Sequence, residues 1–125
     1  MKRANPAVIA SVRRDGTPHT VATWYDWEDG LVLVNMDASR SRLRFIRRDP
    51  HVALTVLEDG NSYRHVSLLG RVDRIDADTE LRDIDRLSRR YTGAPFANRH
   101  ADRHSAWIEV DAWHAWNGGA PWLSG

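Results

Sequence analysis

Leu31-Val32-Leu33-Val34-Asn35-Met36-Asp37-Ala38-Ser39-Arg40-Ser41-Arg42-Leu43-Arg44-Phe45-Ile46-Arg47-Arg48-Asp49-Pro50-His51-Val52-Ala53-Leu54 is the stretch on which the fold turns. Its apolar opening reads as a buried strand. Leu43 and Ile46, three apart behind Asp37, Ser39 or Ser41 as a cap, predict a short helix over 39–48, and Asp49-Pro50 stops it. His51 to Leu57 then resumes strand character. The net charge is only +1, yet five arginines and no acid fall between Arg40 and Arg48. A helix N-terminus presents unpaired N–H groups and partial positive charge, so Ser39, Arg40, Ser41 and Arg42 placed there would suit a phosphate. The same residues equally suit a helix whose arginines face water.

Upstream, Ala7 to Arg13 reads as a strand, Arg14-Asp15-Gly16-Thr17 carries Asp-Gly turn chemistry, and Pro18 to Tyr25 reads as the returning strand. Asp26 to Gly30 reads as a polar turn, so three strands in a meander are expected before the helix. Downstream, Tyr63 to Ile75 alternates around Gly70, which signals a bulge or bend. Leu81, Ile84, Leu87 and Tyr91 recur at helical spacing behind an Asp78 or Thr79 cap. Residues 92–104 read as irregular, Trp107 to Val110 as a strand, and Trp113, Trp116 and Trp122 follow among glycines. The predicted order is β-β-β-α-β-β-α-β, a small antiparallel barrel with two helices in one domain over residues 1–125.

Composition prunes the functions. There are 125 residues with 42% hydrophobic and 28% charged, and no run approaches the ~18 apolar residues of a membrane span. No membrane association and a cytoplasmic location are expected. Zero cysteines remove disulfides, thiolate metal sites and cysteine nucleophiles together. The balanced charge argues against a nucleic-acid face. His100 and His104 lie four apart but without an HExxH pattern, so no metal is expected there. Neither a Gly-x-Ser-x-Gly elbow nor a P-loop is present. Six tryptophans are many for one small core, given the ~150 to 250 Å² that each brings. Trp107 is expected inside and others at an interface or along a flat apolar pocket.

Taken in order, Ile9-Ala10-Ser11-Val12, Asp15-Gly16-Thr17-Pro18, the Leu31 to Leu54 stretch, Tyr63-Arg64-His65-Val66 and Leu69-Gly70-Arg71-Val72 resemble the pyridoxamine-phosphate-oxidase-like split β-barrel proteins. The resemblance covers about two thirds of the chain and implies a mainly β protein with two helices, a split antiparallel β-barrel of the FMN-binding type, working as a homodimer. Trp24-Tyr25, Arg47-Arg48-Asp49-Pro50 and the short length look most like the group that uses the deazaflavin coenzyme F420.

Carried over by position, the resemblance gives Arg42 to the cofactor phosphate with Ser39, Arg40 and Ser41 beside it. It gives Asn35 and Met36 to the cofactor lining, Val21, Thr23 and Tyr25 to the strand beneath the ring system, and His65 to a contact from the partner subunit. Arg44, Arg47 and Arg48 become surface charge or contacts to an acidic cofactor tail. The second strand lacks the basic phosphate ligand of the FMN oxidases, which counts against FMN, the alternative cofactor. The oxidases' C-terminal Arg and His motif is also missing, which counts against vitamin B6 oxidation. The implied activity is an oxidoreductase passing hydride to an unsaturated small-molecule organic acceptor, with water, Tyr25 or His65 as the proton source. The alternatives are an FMN-binding reductase of the same fold and a non-catalytic flavin- or haem-binding protein. The acceptor would be set by residues 92–104 and by the partner chain.

Overall fold

A computed structural model describes residues 5–58, 61–117 and 120–124. Its elements run β1 (Ala7–Val12), β2 (Pro18–Thr23), β3 (Asp26–Glu28), β4 (Leu31–Asp37), α1 (Ser41–Arg48), β5 (His51–Glu58), β6 (Asn61–Ala77), α2 (Arg82–Thr92), β7 (Arg103–Asn117) and β8 (Ala120–Ser124). Every strand pairing is antiparallel, in the order β2-β1-β5-β6-β7-β4-β3, with β8 added beside β7. The expected mainly β architecture with two helices is therefore present. Residues 59–60 and the side chains of Trp116 and Trp122 lie outside the described residues.

Three sequence expectations are corrected. The segment from Asp26 holds a short strand, because Asp29 and Gly30 both take positive φ (52° and 79°) and so make the tight turn that joins β3 to β4. The N-terminal strands form two separate hairpins rather than a meander: β4 pairs with β7 from Leu31↔Glu109 to Asp37↔Arg103. Finally, β7 does not end near Val110 but continues through Trp113 to Asn117 against β6. Gly70 sits at a register shift of the β6–β7 ladder, where a Cβ would run into the Glu109 carbonyl oxygen and Ile108. The bulge read from sequence is real, and it exists because β7 approaches too closely for a side chain.

Strand β4 is buried from Val32 to Met36. Alternation sends its residues to two different places. Val32, Val34 and Met36 join Ile9, Leu43, Ile46, Leu54 and Ile108 in the main core, whereas Leu33 packs with Leu87 of α2 and Trp107 in a second cluster. Helix α2 is held above that second face at its middle and at its start. Its Arg86 donates to Asp26 Oδ2 (2.9 Å), Glu28 Oε1 (2.9 Å) and the Trp27 carbonyl (2.8 Å). At its start, Asp78 accepts the backbone N–H groups of Asp83 (3.1 Å) and Ile84 (2.8 Å), which satisfies first-turn donors from just outside the helix. The expected Asp78 cap is thus present in function, although Leu81, at φ 59°, occupies the cap position itself.

Among the described residues no helix is long and apolar enough to cross a membrane.

Candidate functional site

Between α1, α2, the end of β2 and the start of β7 lies a cleft of about 610 Å³. Its walls sort by chemistry. Arg40, Arg42, Arg103 and Asn35 form one part; Trp24, Tyr91 and Phe96 are aromatic; Pro6, Ala7, Ala22, Ile84 and Leu87 are small or aliphatic, with Thr23 among them.

Arg42 dominates the cationic part. It lies in the first turn of α1 and is 9% exposed, because the same helical face that buries Leu43 and Ile46 turns it inward. Its Nη2 donates to the Asn35 carbonyl (3.2 Å), while buried Nε and Nη1 have no hydrogen-bond partner. No ion pair to Arg42 occurs among the described residues; instead Arg103 and Arg40 crowd it. Burial first, and then those two like charges, push the Arg42 guanidinium down to about 10. It remains charged at neutral pH, at an electrostatic cost on the order of 3 kcal/mol relative to solvent. A buried cation with two idle donors beside two further cations has the chemistry to accept an anion.

Asn35 organises that site. Its Nδ2 donates to Asp78 Oδ2 (3.2 Å) and Ser105 Oγ (3.0 Å), and its Oδ1 accepts from Arg103 Nε (2.8 Å). One residue thereby aligns Arg103 by its side-chain amide and Arg42 by its backbone carbonyl. Arg103 lies with its guanidinium 5.0 Å from the Phe96 ring centroid, bridging the cationic and aromatic parts. On the aromatic wall, Trp24 stacks on Tyr91 (centroids 5.5 Å apart, planes at 15°). The Tyr91 hydroxyl donates to the Asn5 carbonyl (2.8 Å), and burial pushes its phenol up to about 12.

The cleft gathers Thr23, Asn35, Arg40 and Arg42 of the residues nominated from sequence. It does not gather the others. Met36 (1% exposed) and Tyr25 (0%) belong to the main core. Met36 is excluded by parity, since it neighbours Asn35 on one strand and must face the opposite side. Val21 is exposed on β2, outside the cleft lining, with Ile9 as its β1 partner. Ser39 is occupied by Asp37, whose Oδ1 accepts both its N–H (2.8 Å) and its hydroxyl (2.6 Å). Ser41 Oγ accepts from Arg44 Nη2 (3.2 Å), and the expected side-chain cap on α1 is absent: Arg40 holds the cap position without a side-chain hydrogen bond. His65, half-buried on β6, pairs with Leu57 and Trp116 and lines no part of this chain's cleft. Arg48 donates to the Arg14 carbonyl (2.7 Å) and serves the surface.

The sequence reading missed Arg103, Phe96 and Tyr91. Tyr91 carried a signal, as the last member of an amphipathic stripe. Arg103 is isolated in sequence and gains meaning only from the Asp37↔Arg103 register of β4 and β7. Among the described residues no cluster of metal-ligating side chains occurs; His100 is exposed in the loop and His104 is carried on β7 opposite Met36.

The cleft thus joins a cluster of three arginines to an aromatic wall within a mainly β body. The chain belongs to the pyridoxamine 5'-phosphate oxidase family, whose profile matches residues 1–117, and its fold is the split barrel of that family. No curated protein matches the sequence. Among solved structures, a protein named F420 reductase is 30% identical with a TM-score of 0.81, the match covering 90% of each chain. A conserved hypothetical protein from Mycobacterium tuberculosis is 26% identical over 94% of this chain and 79% of that one, with a TM-score of 0.74. A heme binding protein from Mycobacterium smegmatis shares the fold at 16% identity and a TM-score of 0.72, covering 98% of this chain and 52% of that one.

Proposed function

We propose that this protein is a homodimeric cytoplasmic oxidoreductase that binds the deazaflavin coenzyme F420, holding its phosphate on Arg42, and serves the reduction of an unsaturated organic acceptor. The observation that carries the reading is the buried Arg42 guanidinium with two unpaired donors at the end of an aromatic cleft. The neighbour named F420 reductase supports the deazaflavin. So does the wall contributed by Ala22, Thr23 and Trp24, which has no basic side chain for a second grip on an FMN phosphate.

When bound, the coenzyme supplies hydride from its C5 position. Arg42 and Arg103 anchor the anionic end, Asn35 fixes their directions, and Trp24 with Tyr91 offers a flat surface that excludes water from one side. Tyr25 is sealed in the core and Tyr91 is engaged with Asn5, so neither reaches a ligand as an acid. A proton comes from water or from His65 of a second copy. The second copy is supported by an apolar hollow of about 400 Å³ on the β5-β6-β7 face, lined by Ala53, Leu68, Leu69 and Trp113 among others, with Leu69 left 60% exposed. Leu69→Asp should convert the dimer to monomer in sedimentation; a wild-type monomer would remove the dimer from the proposal.

Titration with each cofactor, read by tryptophan fluorescence, tests the assignment. Coenzyme F420 should quench Trp24, and Arg42→Ala should weaken binding about ten-fold or more through loss of a charge-assisted interaction of roughly 1.5 to 3 kcal/mol. Tight FMN binding without deazaflavin binding would overturn the cofactor. Absence of coenzyme oxidation with quinone, enone and tetrapyrrole acceptors would reduce the protein to a carrier.

A further inference from the structure

Residues 93–102 contain no strand or helix, yet the segment is gripped from one side chain. Helix α2 ends at Gly93 in the left-handed region (φ 81°), whose N–H reaches the Arg89 carbonyl, and the chain then turns back across the cleft. Asp85, buried on α2, accepts the Phe96 backbone N–H at Oδ1 (2.9 Å) and takes Arg99 in a two-pronged pair (2.5 Å to Oδ1, 3.0 Å to Oδ2). Arg99 Nη1 also donates to the Phe96 carbonyl (3.1 Å). Both backbone polar groups of Phe96 are thereby held by one ion pair, which offsets much of the ordering cost of an otherwise irregular loop.

The core gains nothing from this clasp. Phe96 belongs to neither hydrophobic cluster; its half-buried ring lines the cleft and lies against Arg103. Arg103 cannot swing away to suit the ring, because Asn35 holds its Nε. An aromatic ring fixed by a backbone grip, outside the core and beside an anion-binding guanidinium, meets a ligand rather than the protein.

We infer that Phe96 is a specificity-determining residue that makes the cleft select an anion carrying a flat ring over the anion alone, and that Asp85 is its positioning residue. The inference rests on reading the cleft as the site of a phosphorylated ring compound, and it names the residue that recognises the ring. Arg103 then has two duties, attraction of the anion and support of the ring that covers the ligand.

The test compares calorimetric affinities of the full-length protein for phenyl phosphate and for inorganic phosphate. The wild type should prefer phenyl phosphate. Phe96→Ala should lower the ratio of the two affinities about five-fold, as expected for loss of one aromatic contact, and Phe96→Tyr should restore it. Asp85→Asn should lower the same ratio although the ring is still present, which a purely structural Asp85 would not do. An unchanged ratio in Phe96→Ala overturns the inference. Phosphate binding without any preference for the aryl compound also overturns it while leaving the anion site intact. Failure of the wild type to bind either ligand overturns the underlying reading as well.

Discussion

The two helices bring arginines into the protein under opposite terms. On α2, Arg86 meets Asp26, Glu28 and a carbonyl, and Arg90 lies 3.7 Å from Asp26 and 5.4 Å from the Tyr25 ring centre. On α1, Arg42 is more deeply buried and meets one carbonyl and two other arginines. The charge on α2 is neutralised within the chain; the charge on α1 is left open at the cleft. The contrast separates scaffold from site more sharply than burial does, since both helices bury basic groups.

Substitution by methionine, which keeps length and removes charge, should split the pair. Arg42→Met should raise the stability of the ligand-free protein by up to about 3 kcal/mol, because it removes a desolvated, crowded cation, and should abolish stabilisation by added phosphate. Arg86→Met should do the reverse, lowering stability by about 2 kcal/mol by stranding a carboxylate pair and a carbonyl, with the phosphate response retained. Urea unfolding with and without phosphate measures both; a destabilised, phosphate-responsive Arg42→Met would erase the distinction.

A second way to sharpen the contrast is pH. Phosphate affinity should fall as pH rises through the region above about 10, where Arg42 loses its proton, with the bound anion moving that loss upward. At the other limit, Arg99 holds the Asp85 carboxyl below its usual range. A lowered carboxyl contributes stability that is complete above the unfolded value near 3.8 and is lost as pH falls through the folded one. Asp85→Asn should therefore flatten the acid limb of the stability curve, a smaller effect than either methionine substitution.

Much of the fold was legible because local signals agreed with the long-range solution. The strand-helix-strand stretch around Asp49-Pro50, the Asp15-Gly16 hairpin, the irregularity at Gly70 and the stripe of α2 all follow from neighbours in sequence. What failed depended on distance along the chain. β3 has only three residues and reads as a turn until its pairing with β4 is known. The β4–β7 ladder joins residues some 70 positions apart and decides the meander question against intuition. In the site, Arg42 was legible from its setting, but Arg103 and Phe96 depend on that same ladder and on Asp85. For Met36 the sequence already held the answer: strand alternation alone forbids it from sharing a wall with Asn35.

Strand β4 also says how this protein can change. Its odd-numbered residues, Leu33 and Asn35, face α2 and the cleft, while Val32, Val34 and Met36 face the core. Variation at 35 would alter the cleft, and variation at 33 the packing of α2 against Trp107; variation at 32, 34 and 36 would be felt in the main core. A single seven-residue strand thus gives its two sides different tasks by numerical parity, and a library meant to reshape the cleft through β4 would vary codon 35 and spare its neighbours.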